Sequence, residues 1–419
     1  MLAELLYWIF PYQIFKSVFF RAGLTYLTCF LLVNAVMPRL IRTFRRQGIT
    51  SDFTPYQESQ GPYAGATPIM GGLVLVPALM LSFLAWGWLN RYSLAVLFIT
   101  AAFTAIGAAD DWGKVRQKRR ILAGLAEKKD YADKADGISG SIRLGLELLA
   151  TTLVILVLAY ENGGMDTHLH IPGFPMKTWL PELSLWVFIP FVILVIVGGA
   201  NAVNLTDGLD SLASVPIITS TVFVAAAAYV AGDAVWAERL KILFISPELK
   251  ELVVFAIGLI AACFAFLKFN SPPASIYMGD VGSLGLGAAI CTMFVLVGAE
   301  LFLPIVGGSF VLAAVSVIIQ RVWFKIALKK RGRQWAQKNR FFFRAPYHHH
   351  AQVLLTYREE DPEVRSIWHD WAIKLGWGHI PDEDKYLNRE QVNNKVIWNN
   401  HLRAVFLLVI ALMIFFKVR

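Results

Sequence analysis

Charge is scarce in this chain of 419 residues: 16% are Asp, Glu, Lys or Arg, while 56% are hydrophobic. That shortage excludes an ordinary soluble domain, about a quarter of whose residues are charged. Cysteine is scarcer still. Cys29, Cys263 and Cys291 all fall in apolar stretches without metal-ligand spacing, which excludes a disulfide framework and a zinc module. The first twenty residues carry little charge before Lys16 and no small-residue cleavage site, so no removable signal peptide is read there. The charge that is present sums to +9. Its Lys and Arg lie in short loops between apolar segments, where they face anionic lipid and phosphate, and no nucleic-acid fold is visible. Nucleic acid is not an expected partner.

What the chain has in abundance is apolar runs long enough to cross a hydrocarbon core of about 30 Å. The expected spans are 19–38, 69–89, 92–109, 142–160, 183–199, 212–231, 251–268, 282–299, 303–327 and 401–418. Backbone groups in lipid must be satisfied within their own segment, so helices are expected. Arg39, Arg42, Arg45 and Arg46 follow the first span, Lys114, Arg116, Lys118, Arg119 and Arg120 the third, and Lys329, Lys330, Arg331, Arg333, Lys338, Arg340 and Arg344 the ninth. The positive-inside rule makes those loops cytosolic. The fold expected is all-α: one polytopic membrane domain over 1–419 with about ten transmembrane helices and both termini extracytoplasmic. Two cytosolic loops stand out, 110–141 with a mixed-charge segment and 328–400 with three histidines and a polar insertion.

The polar sequences gather on that cytosolic side. Asp110-Asp111 closes the third span, and Lys114 lies four and three residues on, near the face of both carboxylates. Neighbouring helical residues diverge by about 100°, so the two aspartates have different jobs. One faces metal or substrate while the other acts as base or is held by Lys114; the plain alternative is a solvated helix end with an ion pair. In Asn201 to Asp210, the residues Asn204, Asp207 and Asp210 are spaced to share a helix face, and Gly208 lets backbone approach a ligand. Capping is the alternative there. In Asn270 to Leu284, Pro272 and Pro273 impose a non-helical approach and Asp280 stands at the mouth of the eighth span. It is either an N-cap or a ligand for a hard cation, since Mg²⁺ takes one or two carboxylates plus phosphate oxygens and water. Aspartates ringed by basic residues suit phosphoryl transfer, in which positioning and charge neutralisation dominate. His348-His349-His350 cannot all reach one metal from regular structure, which favours polar or phosphate contacts over zinc.

Thr67-Pro68-x-Met70-Gly71-Gly72, Asp110-Asp111-x-x-Lys114, Asn201 to Asp210, Met278-Gly279-Asp280-x-Gly282-Ser283-Leu284, Gln320 and Pro346-x-His348-His349-His350 together cover almost the whole chain. In them the chain resembles the polyprenyl-phosphate N-acetylhexosamine-1-phosphate transferases, and the unbroken histidine triplet points to their phospho-N-acetylmuramoyl-pentapeptide branch. That resemblance implies ten membrane helices in a bacterial cytoplasmic membrane, with the active site facing the cytosol. It implies Mg²⁺ dependence and the substrates UDP-MurNAc-pentapeptide and undecaprenyl phosphate, giving lipid I and UMP. Carried over by motif, Asp280 is the Mg²⁺ ligand, Asp110 and Asp111 the catalytic pair, and His348 a further active-site group. Lys114, Asn204, Asp207, Gly208, Leu209, Asp210, Asn270, Tyr277, Gln320, His349 and His350 then line the substrate site, Tyr277 offering a ring to uracil. A homodimer in the membrane would fit the family.

Departures from the family pattern sit beside these matches. Ala64, Gly65 and Ala66 stand where a lysine precedes the Thr-Pro motif, and Ser141 replaces a basic residue for which Arg143 compensates. Gln352 replaces an acid, the stretch 116–136 is long, and about thirty extra polar residues within 353–399 carry Trp368, Trp371, Trp377 and Asp382-Glu383-Asp384. That insertion is read as an interfacial cover, a docking surface for cell-wall synthesis proteins, or a solvated loop. Three other functions compete: the same chemistry on UDP-GlcNAc, an inactive relative, and a lipid transporter with carboxylates as an ion path. No inverted repeat supports the last.

Overall fold

A computed structural model describes residues 2–51, 67–125, 137–160, 165–173, 182–240, 245–356, 364–375 and 389–417. The expected spans are helices: α2 (Val18–Gln47), α3 (Gly72–Trp86), α4 (Arg91–Leu122), α5 (Gly140–Tyr160), α6 (Leu185–Thr206), α7 (Ser214–Ala231), α9 (Glu251–Asn270), α10 (Gly279–Leu296), α12 (Gly308–Arg331) and α16 (Arg389–Lys417). Shorter helices are α1 (Leu2–Ile9), α8 (Ala234–Leu240), α11 (Leu303–Val306), α13 (Arg333–Lys338), α14 (Tyr347–Thr356) and α15 (Ile367–Lys374). Among the described residues, extended pairing is confined to β1 (Asn339–Arg340), parallel to β2 (Arg365–Ser366), and two isolated bridges. The protein is an all-α polytopic membrane protein.

Nine of these helices are long and apolar enough to cross a membrane among the described residues. The second expected span is the exception, since α3 has 15 residues. It starts late because Met70 takes φ 68°, outside helical space. The free amides of Gly71 and Gly72 bond instead to the carbonyls of Tyr277 (2.8 Å) and Met278 (2.9 Å). The third span differs the other way: α4 continues past Asp110 and Asp111 to Leu122, with Arg119 and Arg120 in its last turn, where cations favour the helix dipole. The described part of the expected loop 328–400 is largely helical, holding the end of α12, then α13, α14, α15 and the start of α16. The residues 64–66, 126–136, Trp377 and 382–384 lie outside the described residues.

Helix faces follow from the pattern of side chains. Along α2 the buried positions Arg21, Thr25, Cys29, Val33, Met37 and Ile41 recur every fourth residue, while Leu27 and Leu31 are exposed. A stripe that narrow packs one side of a helix and leaves apolar residues facing outward, which a bilayer accommodates. α10 is the opposite case, buried at every position from Val281 to Leu296. It forms the centre, packed by α4, α6 and α3. Close approach needs glycine: a Cβ on Gly107 of α4 would collide with the carbonyl oxygen of Asp280, and one on Gly72 with the Gly282 nitrogen. These contacts seat α3 and α4 against the start of α10.

Candidate active site

Because α4 and α10 meet at Gly107, Asp110 and Asp111 face Asp280 from the next turn. One oxygen or more of each of the three carboxylates falls within 4.8 Å of the others. Lys114 sits among them, its Nζ 2.8 Å from Asp110 Oδ2, 3.5 Å from Asp111 Oδ1 and 2.9 Å from Asp280 Oδ2. Backbone amides fix the carboxylates: Ile138 donates to Asp110 Oδ1 (2.8 Å) and Val281 to Asp111 Oδ2 (3.2 Å). Both oxygens of Asp110 are therefore engaged, whereas Oδ1 of Asp111 has only the long Lys114 contact. Hard oxygen donors grouped this closely can hold a divalent cation, and the donor set suits Mg²⁺.

A second cation closes the cluster. Arg143 of α5 places Nη1 3.3 Å from Asp280 Oδ2 and 3.8 Å from Asp110 Oδ2. It is steered by two partners: its Nη2 donates to Asn201 Oδ1 at 3.2 Å, and its Nε lies 3.6 Å from Glu147 Oε1. Asn201 in turn donates to Glu147 Oε2 at 2.6 Å. Glu147 is fully buried. On the far side of Asp280, Asn204 donates to its Oδ1 (2.8 Å) and to Ser283 Oγ (2.9 Å). Sequence reasoning named Arg143 only as a substitute cation and Ser283 only as a motif residue, and missed Glu147. The i,i+4 spacing of Arg143 and Glu147 on one helix was the available signal for Glu147.

After α6 the chain turns, and its aspartates separate in role. Burial, reinforced by the charges of Asp280, Asp111 and Asp210, pushes Asp207 up to about 8, so it keeps its proton near neutral pH. Asp210 is also raised by burial, although its Oδ2 accepts from the Ala274 amide at 2.9 Å. Asn270 is occupied with backbone, accepting from Ser211 N (2.8 Å) and donating to Ile276 O (3.0 Å). It braces the two loops against each other. Leu209 is buried with Leu212, Val392, Val396 and Ile397, so its side chain packs this turn against α16. Asn400 and His401 of α16 bond the Leu212 and Ser211 carbonyls, each at 3.0 Å, a support the sequence did not reveal. Tyr277 is half-buried, its hydroxyl raised by burial and by the Asp210 charge and bonded to Thr67.

The histidine triplet divides as helical geometry requires. His348 packs on Gly208: a Cβ there would come within 2.5 Å of His348 Nε2. That contact joins the triplet to the 201–210 stretch. Burial holds His348 well below its usual range, so it is neutral. His349 is likewise lowered by burial, and its Nδ1 is 2.7 Å from Gln352 Oε1. His350 is fully buried and pushed down to about 4, first by burial and then by His369. Its Nδ1 accepts from the Phe343 amide at 3.1 Å, and the ring stacks on Phe343 at 5.5 Å. Gln320 takes the neighbouring amide, Phe342 N, at 2.8 Å. Gln320 and His350 thus shape the 339–346 segment, while His348 and Gly208 stand with the aspartate side.

Residues 93–298, from α4 to the turn after α10, match the family model described as Glycosyl transferase family 4. The phospho-N-acetylmuramoyl-pentapeptide-transferase of Thermodesulfovibrio yellowstonii is 35% identical over 381 residues, spanning 90% of this chain and 96% of that one. The enzyme of the same description from Gemmatimonas aurantiaca is 33% identical over 369 residues, 87% of this chain and 93% of its own. That of Ruegeria pomeroyi is 36% identical over 344 residues, 81% and 88% of the two chains.

Proposed function

Because this chain belongs to the phospho-N-acetylmuramoyl-pentapeptide-transferase family, we propose that it transfers phospho-MurNAc-pentapeptide from UDP-MurNAc-pentapeptide to undecaprenyl phosphate, giving lipid I and UMP. The observation that carries this reading is the gathering of Asp110, Asp111 and Asp280 around Lys114 at one end of a membrane bundle. A transporter would need its carboxylates near mid-membrane, whereas Asp280 opens α10 and Asp110 and Asp111 stand where the apolar run of α4 gives way to its basic end. With α3 counted as a tenth crossing, the positive-inside rule supports a cluster facing the cytosol across the bacterial inner membrane, with both termini outside.

In the reaction an oxygen of the lipid phosphate attacks the β-phosphorus of the donor. The bond from that phosphorus to the bridging oxygen breaks, and UMP departs with the bridging oxygen. Asp111 accepts the proton of the attacking phosphate, because its Oδ1 is the least engaged oxygen of the cluster. Asp110, held by Ile138 N and Lys114, orients Lys114. Lys114 and Arg143 balance charge on the diphosphate. Mg²⁺, held by Asp280 with Asp110 and Asp111 beside it, would neutralise the diphosphate and expose phosphorus to attack. Asn204, Asp207, Gly208, Asp210 and His348 form the nucleotide and diphosphate side, and the Tyr277 ring receives uracil. Leu209, Asn270, Gln320, His349 and His350 support those walls from behind.

Donor choice is tested with the purified protein in detergent, undecaprenyl phosphate and Mg²⁺. UMP and a lipid-linked product are expected from UDP-MurNAc-pentapeptide and not from UDP-GlcNAc, and chelation should stop the reaction. Product from UDP-GlcNAc alone would transfer the mechanism to the other donor.

A further inference from the structure

Away from the aspartate cluster, at the far ends of α5 and α10, a second set of ionisable groups has no part in the transfer. α10 separates the two by 18 residues, about 27 Å of helix. Met165 to His170 follow α5 in extended form, pinned by the His168–Glu182 bridge and by Leu183 N donating to Thr167 O at 3.1 Å. In an extended chain alternate residues share a face, so Asp166, His168 and His170 project together. The Asp166 carboxylate lies between the two rings: Oδ1 is 2.7 Å from His168 Nδ1, and Oδ2 is 3.6 Å from His170 Nε2. The His170 ring rests on the turn after α10, 3.4 Å from where a Cβ of Gly298 would stand. Glu300 follows two residues later.

Three heteroatoms of this set are buried without a hydrogen-bond partner among the described residues: Asp166 Oδ2, His170 Nε2 and Glu300 Oε2. His170 and Glu300 are each 3% exposed. Asp166 Oδ2 and His170 Nε2 face each other at 3.6 Å, beyond hydrogen-bond length. Buried polar atoms left without a hydrogen bond are rare, because each forfeits its hydration, and an ion between this pair would satisfy both. Two imidazoles with carboxylates are the donors of a borderline ion, unlike the all-oxygen set at Asp280.

We propose that Asp166, His168 and His170, with Glu300 as the adjoining acid, form a second metal site that takes a zinc-class divalent ion and ties the 165–170 segment to the turn after α10. Asp166 already stands between its partners, and closing the set on one ion requires a swing of His168, whose side chain is 37% exposed.

The test uses the full-length, tag-free protein, stripped with chelator and titrated with Zn²⁺ against a chromophoric competitor. Wild type is expected to bind one equivalent more than His168→Ala/His170→Gln, and Asp280→Asn should retain that equivalent. The milder His168→Ala, at a partly exposed position, should keep the fold and weaken this binding by at least about tenfold. Equal stoichiometry and affinity in wild type and in both histidine variants, or no Zn²⁺ bound by wild type, overturns the proposal. UMP release is not the readout, so the site and the transfer reaction stand or fall separately.

Discussion

Gly208 and His348 meet across the site with no room for a methyl group, which makes them a sharp probe at the residue scale. Gly208→Ala should force the imidazole or the 207–213 turn to move. The expected result is about 1–3 kcal/mol of lost stability, with UMP release falling further than the melting temperature alone explains; unchanged activity would separate His348 from the site. Much of the neighbourhood was legible in the sequence. Helical spacing put Lys114 beside Asp110 and Asp111, and both contacts are present. Its contact with Asp280 was not legible, because the two residues are 166 positions apart and only packing of α4 on α10 joins them. Asn270 shows the converse limit: the family resemblance suggested ligand contact, and its side chain bonds the backbone of two loops. A polar residue that braces backbone looks the same in sequence as one that faces a substrate.

At the scale of elements, the apolar runs identified the long helices, and their ends were the unreliable part. α3 is short because its first amides are taken by the Tyr277–Met278 backbone, a partner no local pattern encodes. The region 328–400 was read as loop because its helices are short and polar, yet its described part is anchored. Ser366 Oγ and Trp368 N both donate to Phe341 O, at 2.9 and 3.0 Å, and the Trp368 ring lies 6.4 Å from Phe341 and 6.1 Å from Phe342. The inserted α15 therefore clamps the segment that leads into the histidines. Trp368→Ala removes its ring contacts with Phe341 and Phe342, worth about 0.5–1.5 kcal/mol each, as well as the one with Trp371 inside α15. Local opening around 339–346 should rise by about tenfold or more, measured as faster amide exchange at Phe342 and Phe343. Unaltered exchange there would mean that α15 only covers the surface.

For the molecule as a whole, stability and chemistry are held at opposite ends of the bundle. Arg21 and Glu251 form a buried bidentate pair, with Arg21 Nη1 2.6 Å from Glu251 Oε2, the guanidinium 4.1 Å over the Trp88 ring and the Trp88 amide donating to the same oxygen at 3.0 Å. Glu251→Ala leaves a buried charge unpaired and should cost about 3–5 kcal/mol of thermal stability, most of it recovered by Arg21→Met/Glu251→Met. A single variant as stable as wild type would remove the pair from the account of the fold.

The opposite end carries the central claim, that the carboxylates joined by α4 and α10 perform the transfer. Its most direct test is single-turnover UMP release from UDP-MurNAc-pentapeptide by Asp111→Asn, with Mg²⁺ saturating and the melting temperature checked alongside. Loss of the proton acceptor should slow release by about 10²–10⁴-fold without unfolding the protein, whereas a rate within a few-fold of wild type would contradict the assignment of Asp111 and the chemistry built on it.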